Sequence, residues 1–301
     1  MKISHAIQAL LLLFALGLTW GSGYSIAHYA TTNGVSPLGY AFWQSFGPAV
    51  CLSLLARALK IPLIFSKQYL KYYFICGLIG IAIPNTNMYF AAQHVTPGIL
   101  AVVVNTVPIM TYIIALAMRT EDVRLTRTVG TCAVIVGLML FVTPKVSLPD
   151  SHMIPWLLSA LITPMCFALC AIYSAKQPTN SHALSLAAGM LIASTILLTP
   201  IVIANHDFYI MRVPLHLRDY IIILEIILSS LGYVMLFRLL KIAGALFYSL
   251  VGGIVSITGL LWGHIIFHES FTSVAKWAIG LIIFGVLIAS IQIKDDYAQK
   301  D

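Results

Sequence analysis

Ten apolar stretches, each about twenty residues long and joined by short connections, decide what this chain can fold into. They cover residues 6–29, 37–59, 70–90, 97–118, 125–143, 155–175, 183–203, 220–240, 243–267 and 273–293. A helix of about 20 apolar residues crosses a bilayer, so the reading is ten transmembrane helices. Long apolar runs rather than alternation exclude a transmembrane β-barrel. Only 9% of residues are charged, against roughly 25% in a soluble domain, which leaves too little charge for a water-facing surface. The expected class is an all-α integral membrane protein.

The net charge of +7 does not point to nucleic acid, because Lys and Arg sit in the short connections. With the N-terminus inside, the inner connections and termini hold 13 of them and the outer ones hold 4, namely Lys145, Arg212, Arg218 and Lys276. Cytoplasmic loops carry the excess of Lys and Arg, so both termini are expected to be cytoplasmic.

The stretch from Pro84 to Glu121 has a related counterpart from Leu231 to Glu269. From Ala101 onward the two align without gaps at an offset of 148, pairing Pro108 with Ser256, Ala115 with Gly263, Glu121 with Glu269 and Gly137 with Gly285. Five helices are an odd number, so the second copy must enter the bilayer from the opposite side. The expectation is two inverted five-helix repeats, 1–148 and 149–301, an arrangement found in many secondary transporters.

Polar groups are costly in hydrocarbon, so each one inside a span needs a reason. Helix 1 carries Trp20, Gly21, Gly23 and Tyr24, and Trp20 lies too deep for an interfacial belt. Helix 2 carries Gln44 and Pro48; helix 3 carries Pro84, Asn85, Asn87 and Tyr89. On helix 4, Ala101, Asn105, Pro108 and Tyr112 follow 4-3-4 spacing and share one face. Pro108 and Pro164 are candidate gating kinks, since each proline frees a backbone carbonyl. The row Ala245, Ser249, Gly252, Ser256, Gly259 and Gly263 reads as a packing face or as pore lining. Glu225 is the only acidic residue well inside a segment. Either it binds a proton or a substrate amine, or helix 8 begins later and Glu225 is wet.

The five cysteines lie in apolar segments without a CxxC pair, so no metal or redox site is expected. No zinc-protease spacing and no phosphate loop with Lys occurs, so neither an enzyme nor a cofactor is expected.

These residues resemble the drug/metabolite transporter superfamily, in particular its EamA-type members. The resemblance rests on Thr19-Trp20-Gly21-Ser22, on Asn87-x-Tyr89-x-Ala91 followed by Thr96-Pro97-Gly98, and on Pro108, Glu121 and Gly137 with their echoes Glu269 and Gly285. It implies a secondary transporter, commonly an exporter of amino acids or related metabolites, in a bacterial cytoplasmic membrane. It also implies a central cavity bounded by helices 1–4 and 6–9, with helices 5 and 10 outside. Three positions depart from the pattern. Gln44 stands where many members carry Arg, His94 replaces a usual Lys, and Ser256 replaces the second proline. Loss of that Arg weakens the case for an anionic substrate.

The expected function is therefore carriage of a small polar metabolite. Trp20, Tyr24, Tyr89 and Tyr112 would stack on it, Gln44, Asn85 and Asn105 would hydrogen-bond it, and transport would be either facilitated uniport or proton-linked through Glu225. An enzyme acting on a lipid-linked substrate and a non-transporting sensor or scaffold are the alternatives. The oligomeric state is not legible.

Overall fold

Helices are the regular secondary structure of the residues that the computed structural model describes, 3–119, 123, 125–142, 152–174, 178, 182–248 and 251–291. In order these are α1 Ile3–Thr32, α2 Pro37–Ala58, α3 Lys67–Gly77, a π-helical turn Leu78–Ala82, α4 Ile83–Ala92, α5 Pro97–Val104, α6 Val107–Ala117 and α7 Leu125–Val142. There follow α8 Met153–Ala160, α9 Ile162–Ser174, α10 Ala183–Ala204, α11 Leu217–Tyr248, α12 Val251–Phe267 and α13 Ser273–Ile291. Six stretches among the described residues are long and apolar enough to cross a membrane, and three shorter helices are apolar. Glu121, Ser249, the tail after 291 and the expected division near 148 lie outside the described residues.

Local chemistry explains where helices start and break. Ser36 caps α2 by accepting the Gly39 N–H at 3.0 Å, and Pro37 then occupies the first turn, where its missing donor costs nothing. Three expected segments are interrupted near a proline. The π-helical turn precedes Pro84, Asn105–Thr106 precedes Pro108, and Leu161 precedes Pro164. A proline ring removes one N–H and clashes one turn back, so the helix re-forms around it. One expected break is absent: α11 runs through 241–242 to Tyr248. No proline interrupts that stretch, and Leu, Lys and Ala are good helix formers.

The helices pack with approximate two-fold regularity. α2 lies on α10, α5 on α12 and α7 on α13. Each of these pairs joins corresponding segments of the two copies, and each is antiparallel. In α7 and α13, a β-carbon added at Gly137 would come 2.7 Å from Ile282 Cγ1 and 2.9 Å from the Ala278 carbonyl. One added at Gly285 would come 2.8 Å from Val134 Cγ2 and 2.5 Å from the Gly130 carbonyl. Under the offset of 148 these two sets are images of each other. In α5 and α12, Ala101 meets Gly259 and Asn105 faces Gly252, so these glycines of the small-residue row serve packing. In α2 and α10, Ser45 Oγ lies 3.0 Å from Ser194 Oγ, and Ser185 Oγ donates to the Pro62 carbonyl at 3.0 Å. Other contacts also come in matched pairs, α1 on α12 and α11 answering α9 on α6 and α4.

The α7–α13 contact is testable. Gly285→Ala should lower the melting temperature in detergent, because overpacking costs about 1–3 kcal/mol. Gly280 has nothing within 4 Å of an added β-carbon, so Gly280→Ala should leave stability unchanged or raise it. Equal effects at the two positions would contradict this packing.

Candidate functional site

The site is built where α5 stops. Val102–Val104 is β-branched, which disfavours helix slightly, and Pro108 cannot donate to the Val104 carbonyl. The helix therefore opens at Asn105 and Thr106, and their side chains add bonds to the Ala101 and Val103 carbonyls, which also accept the Asn105 and Thr106 backbone N–H groups. Asn105 Nδ2 donates to the Ala101 carbonyl at 2.7 Å, and Thr106 Oγ1 donates to the Val103 carbonyl at 2.8 Å. Asn105 Nδ2 also lies 3.2 Å from the Tyr24 hydroxyl on α1. The broken helix removes the single face on which Tyr112 was to join Asn105, and the Tyr112 hydroxyl lies 3.3 Å from Thr128 Oγ1 on α7.

α2 and α4 meet through two rungs one helical turn apart. Tyr40 and Tyr89 pack edge to face with centroids 4.6 Å apart. One turn further, Asn85 Nδ2 donates to Gln44 Oε1 at 3.1 Å. Tyr89 is also within electrostatic reach of Tyr24, Tyr233 and Glu225. Trp20 packs edge to face on Tyr233 at 6.4 Å and fits against Gly232 of α11.

Glu225 stands at the centre of this cluster. α11 begins at Leu217, earlier than expected, so Glu225 lies about 12 Å along it at 1.5 Å per residue. It is 7% exposed. Ser229 Oγ, one turn on, donates to its Oε1 at 2.7 Å. Among the described residues no Lys or Arg is paired with it. The carboxylate looks onto Gly23, where an added β-carbon would lie 3.8 Å from both of its oxygens.

The structure thus gathers Trp20, Tyr24, Tyr89, Asn105 and Glu225, with the Gln44–Asn85 rung one turn away. Pro108 follows directly on the break at Asn105. Pro164 belongs to a separate polar crossing, where Thr163 Oγ1 donates to the Pro84 carbonyl at 2.9 Å and Asn87 Nδ2 donates to the Ser159 carbonyl at 2.8 Å. Sequence reasoning missed Tyr40 and Tyr233. Tyr40 precedes Gln44 by four residues, and Tyr233 follows Glu225 and Ser229 at intervals of four, so a strict helical-face search finds both. Among the described residues no group of three or more His, Cys, Asp or Glu is placed to hold a metal ion.

Comparison with known proteins identifies the family. The profile of the EamA-like transporter family matches the chain twice, over residues 7–143 and 154–291. The chain belongs to that family. This EamA-type member of the drug/metabolite transporter superfamily is accordingly a multi-pass membrane protein of a transporter family. No curated protein matches it. Among solved structures 21 chains match. One, titled only as the crystal structure of a protein, has a TM-score of 0.62 at 16% identity, over 97% of this chain and 98% of its own. At that identity the likeness speaks to the fold alone.

In this EamA-like protein the glutamate of the second half has a defined position. Glu269 Oε1 accepts the Gly98 N–H at 3.1 Å, so a carboxylate from beyond α12 closes the positive end of α5. Its Oε2 is buried without a hydrogen-bond partner. It lines a cavity of about 340 Å³ with His28, Thr96, Phe267 and Phe271. His28 bonds the Ala92 carbonyl, and His264 Nδ1 lies 2.9 Å from the Glu269 carbonyl. His94 instead stacks on Trp156, with centroids 4.1 Å apart.

Burial pushes the Glu269 carboxyl above its ordinary value near 4.5, and the Gly98 N–H and His264 offset this only in part. A raised folded-state value gives stability that is complete below about 4.5 and is lost as pH rises through the raised value. Wild type should therefore lose melting temperature relative to Glu269→Gln as pH climbs from 4.5, and parallel curves would contradict this. Glu269→Ala should cost about 1 kcal/mol near pH 4.5 through the lost cap, and less as pH rises.

Proposed function

We propose that this protein is a secondary carrier that moves a small polar metabolite, an amino acid or related compound, across a bacterial inner membrane, with export favoured. The observation that carries this reading is the buried cluster at α1, α2, α4, α5 and α11, where Glu225, Asn105 and a set of aromatic rings converge. Such a mixture of rings and a few directed polar groups suits a small solute.

Alternating access follows from the repeats. On this proposal the halves 1–148 and 149–301 are inverted copies, ten helices cross the bilayer and both termini are cytoplasmic. Two similar halves facing opposite ways have inward-open and outward-open states of similar energy. The antiparallel contacts of α2 with α10, α5 with α12 and α7 with α13 support that symmetry. Pro108 and Pro164 lie beside helix breaks, where the chain can bend without breaking a regular ladder. Glu225 carries the coupled proton.

Replacing Asn105 by Leu removes the bonds to Tyr24 and to Ala101 while preserving bulk. It should abolish flux in reconstituted vesicles with the melting profile retained, and unchanged flux would remove Asn105 from the site. Glu225→Gln should abolish accumulation driven by a pH gradient; intact accumulation would show that protons couple elsewhere.

A further inference from the structure

We propose that Cys76 on α3 and Cys170 on α9 are an oxidisable dithiol, whose disulfide ties the first half of the chain to the second at the inner side of the membrane. The bond stands on the packing of these two helices. Its consequence, arrest of transport, rests on the carrier reading.

Of the five cysteines, Cys51 and Cys132 are exposed, while Cys76, Cys166 and Cys170 are buried. Cys76 and Cys170 share one buried cluster with Tyr72 and Tyr73, and their thiols interact directly. No CxxC spacing announces the pair, because its members come from different helices. The backbones approach as closely as a disulfide needs. A β-carbon added at Gly80 would lie 3.4 Å from Cys170 Cβ and 2.5 Å from its Sγ, and the Cβ atoms of a disulfide are about 3.5–4.5 Å apart. Cys76 precedes Gly80 by four residues and shares its face. Gly80 belongs to the π-helical turn Leu78–Ala82. A side chain there would displace the Cys170 thiol, so the glycine keeps a place for it.

The surroundings are more polar than packing requires. Ser174 Oγ lies 3.9 Å from Cys170 Sγ, and the Tyr72 hydroxyl interacts with both Ser174 and Cys76. These hydroxyls can solvate a thiolate, the reacting form of cysteine. Cys170 stands one turn before Ser174, the last residue of α9, which is about 6 Å along the axis. On the proposed topology that end faces the cytoplasm, and opening of the inner side admits a small uncharged oxidant.

The oxidant class is a peroxide. One thiolate attacks a peroxide oxygen; the S–O bond forms as the O–O bond breaks, and the departing hydroxide takes up the thiol proton as water. The second sulfur then attacks the sulfenic sulfur, forming the S–S bond and releasing the oxygen as a second water. Two thiols and one hydrogen peroxide thus give one disulfide and two waters, and a dithiol reductant reverses the bond by exchange. α3 lies in the first family match and α9 in the second, so the bond spans the halves and holds the inner side shut.

The test treats the purified full-length protein with hydrogen peroxide, blocks the remaining thiols in denaturant and maps the peptides. Free thiols should fall from five to three, with the bond joining Cys76 to Cys170. Cys76→Ser and Cys170→Ser should each remove that bond, and Cys166→Ser should leave it. Retained thiols, separate over-oxidised cysteines or a bond between other positions overturns the inference. If the serine variants do not fold, the map of the native protein still decides. In sealed vesicles the oxidation should cut flux by about tenfold, a dithiol reductant should restore it, and Cys76→Ser should keep its flux under peroxide. A mapped bond with undiminished flux overturns the arrest. Reduced protein that carries no metabolite removes the carrier reading, and the map then decides the dithiol by itself.

Discussion

A polar group inside a bilayer has no water to fall back on, and the cross-helix contacts of this protein answer that constraint. Side chains bond the backbone beside two of the helix breaks and at one helix start. Asn105 and Thr106 bond the carbonyls at the end of α5, Asn87 takes the Ser159 carbonyl near the break before Pro164, and Glu269 takes the Gly98 N–H at the start of α5. Breaks of this kind are tolerated in a membrane only where neighbouring elements re-satisfy the backbone. The polar residues therefore hold the kinks open, and the kinks in turn place Asn105 against Tyr24. Glu225 receives one hydrogen bond from Ser229 and, among the described residues, no Lys or Arg partner, which is what makes it a candidate for function.

Close approach of the helices depends on the opposite kind of residue. Lipid tails are as apolar as Leu, so helices associate through backbone proximity and shape rather than through the hydrophobic effect. Gly137 and Gly285 admit Ile282 and Val134 in symmetry-related contacts, and Gly17 and Gly21 bring α1 against Ile254 and Thr258 of α12. Thr258 then reaches the Gly17 carbonyl at 2.7 Å. The long connection of residues 205–216 is fastened by polar bonds. Ser36 Oγ donates to the Asp207 carbonyl at 2.9 Å, Trp43 Nε1 to the Tyr209 carbonyl at 2.9 Å, and the Tyr209 hydroxyl to Asp219 at 2.6 Å. Burial and the bond to Asp219 push the Tyr209 phenol up, so it stays a donor.

Much of this was legible in the residues because hydrophobic run length and the offset of 148 are one-dimensional signals. The pairing of Gly137 with Gly285, proposed from that offset, reappears as two symmetric contacts. The candidate site was legible in part. Trp20, Tyr24, Tyr89, Asn105 and Glu225 were found as polar or aromatic groups at depth. Tyr40 was not, because a tyrosine near a helix end looks like an interface anchor, and Tyr233 was not, because only its rotation about α11 brings it to Trp20. The placing of Tyr112 assumed an unbroken helix, and Pro108 together with the valine run redirects it. The start of α11 was set three residues late, which left Glu225 between buried and wet. Asp219 explains the difference: in the first turn of α11 it bonds the His216 N–H at 2.7 Å and Tyr209, so the helix begins in a polar sequence that hydropathy excludes.

The central claim is that the Glu225 cluster opens alternately to the two sides of the membrane. Gly23 offers a direct probe, because a side chain there faces the carboxylate without a clash. In a variant with the five native cysteines replaced and Gly23→Cys introduced, the measurement is labelling by a membrane-impermeant thiol reagent in sealed vesicles of known orientation. The account predicts labelling from either side. Labelling from neither side, or from one side only whatever solute is added, would contradict it.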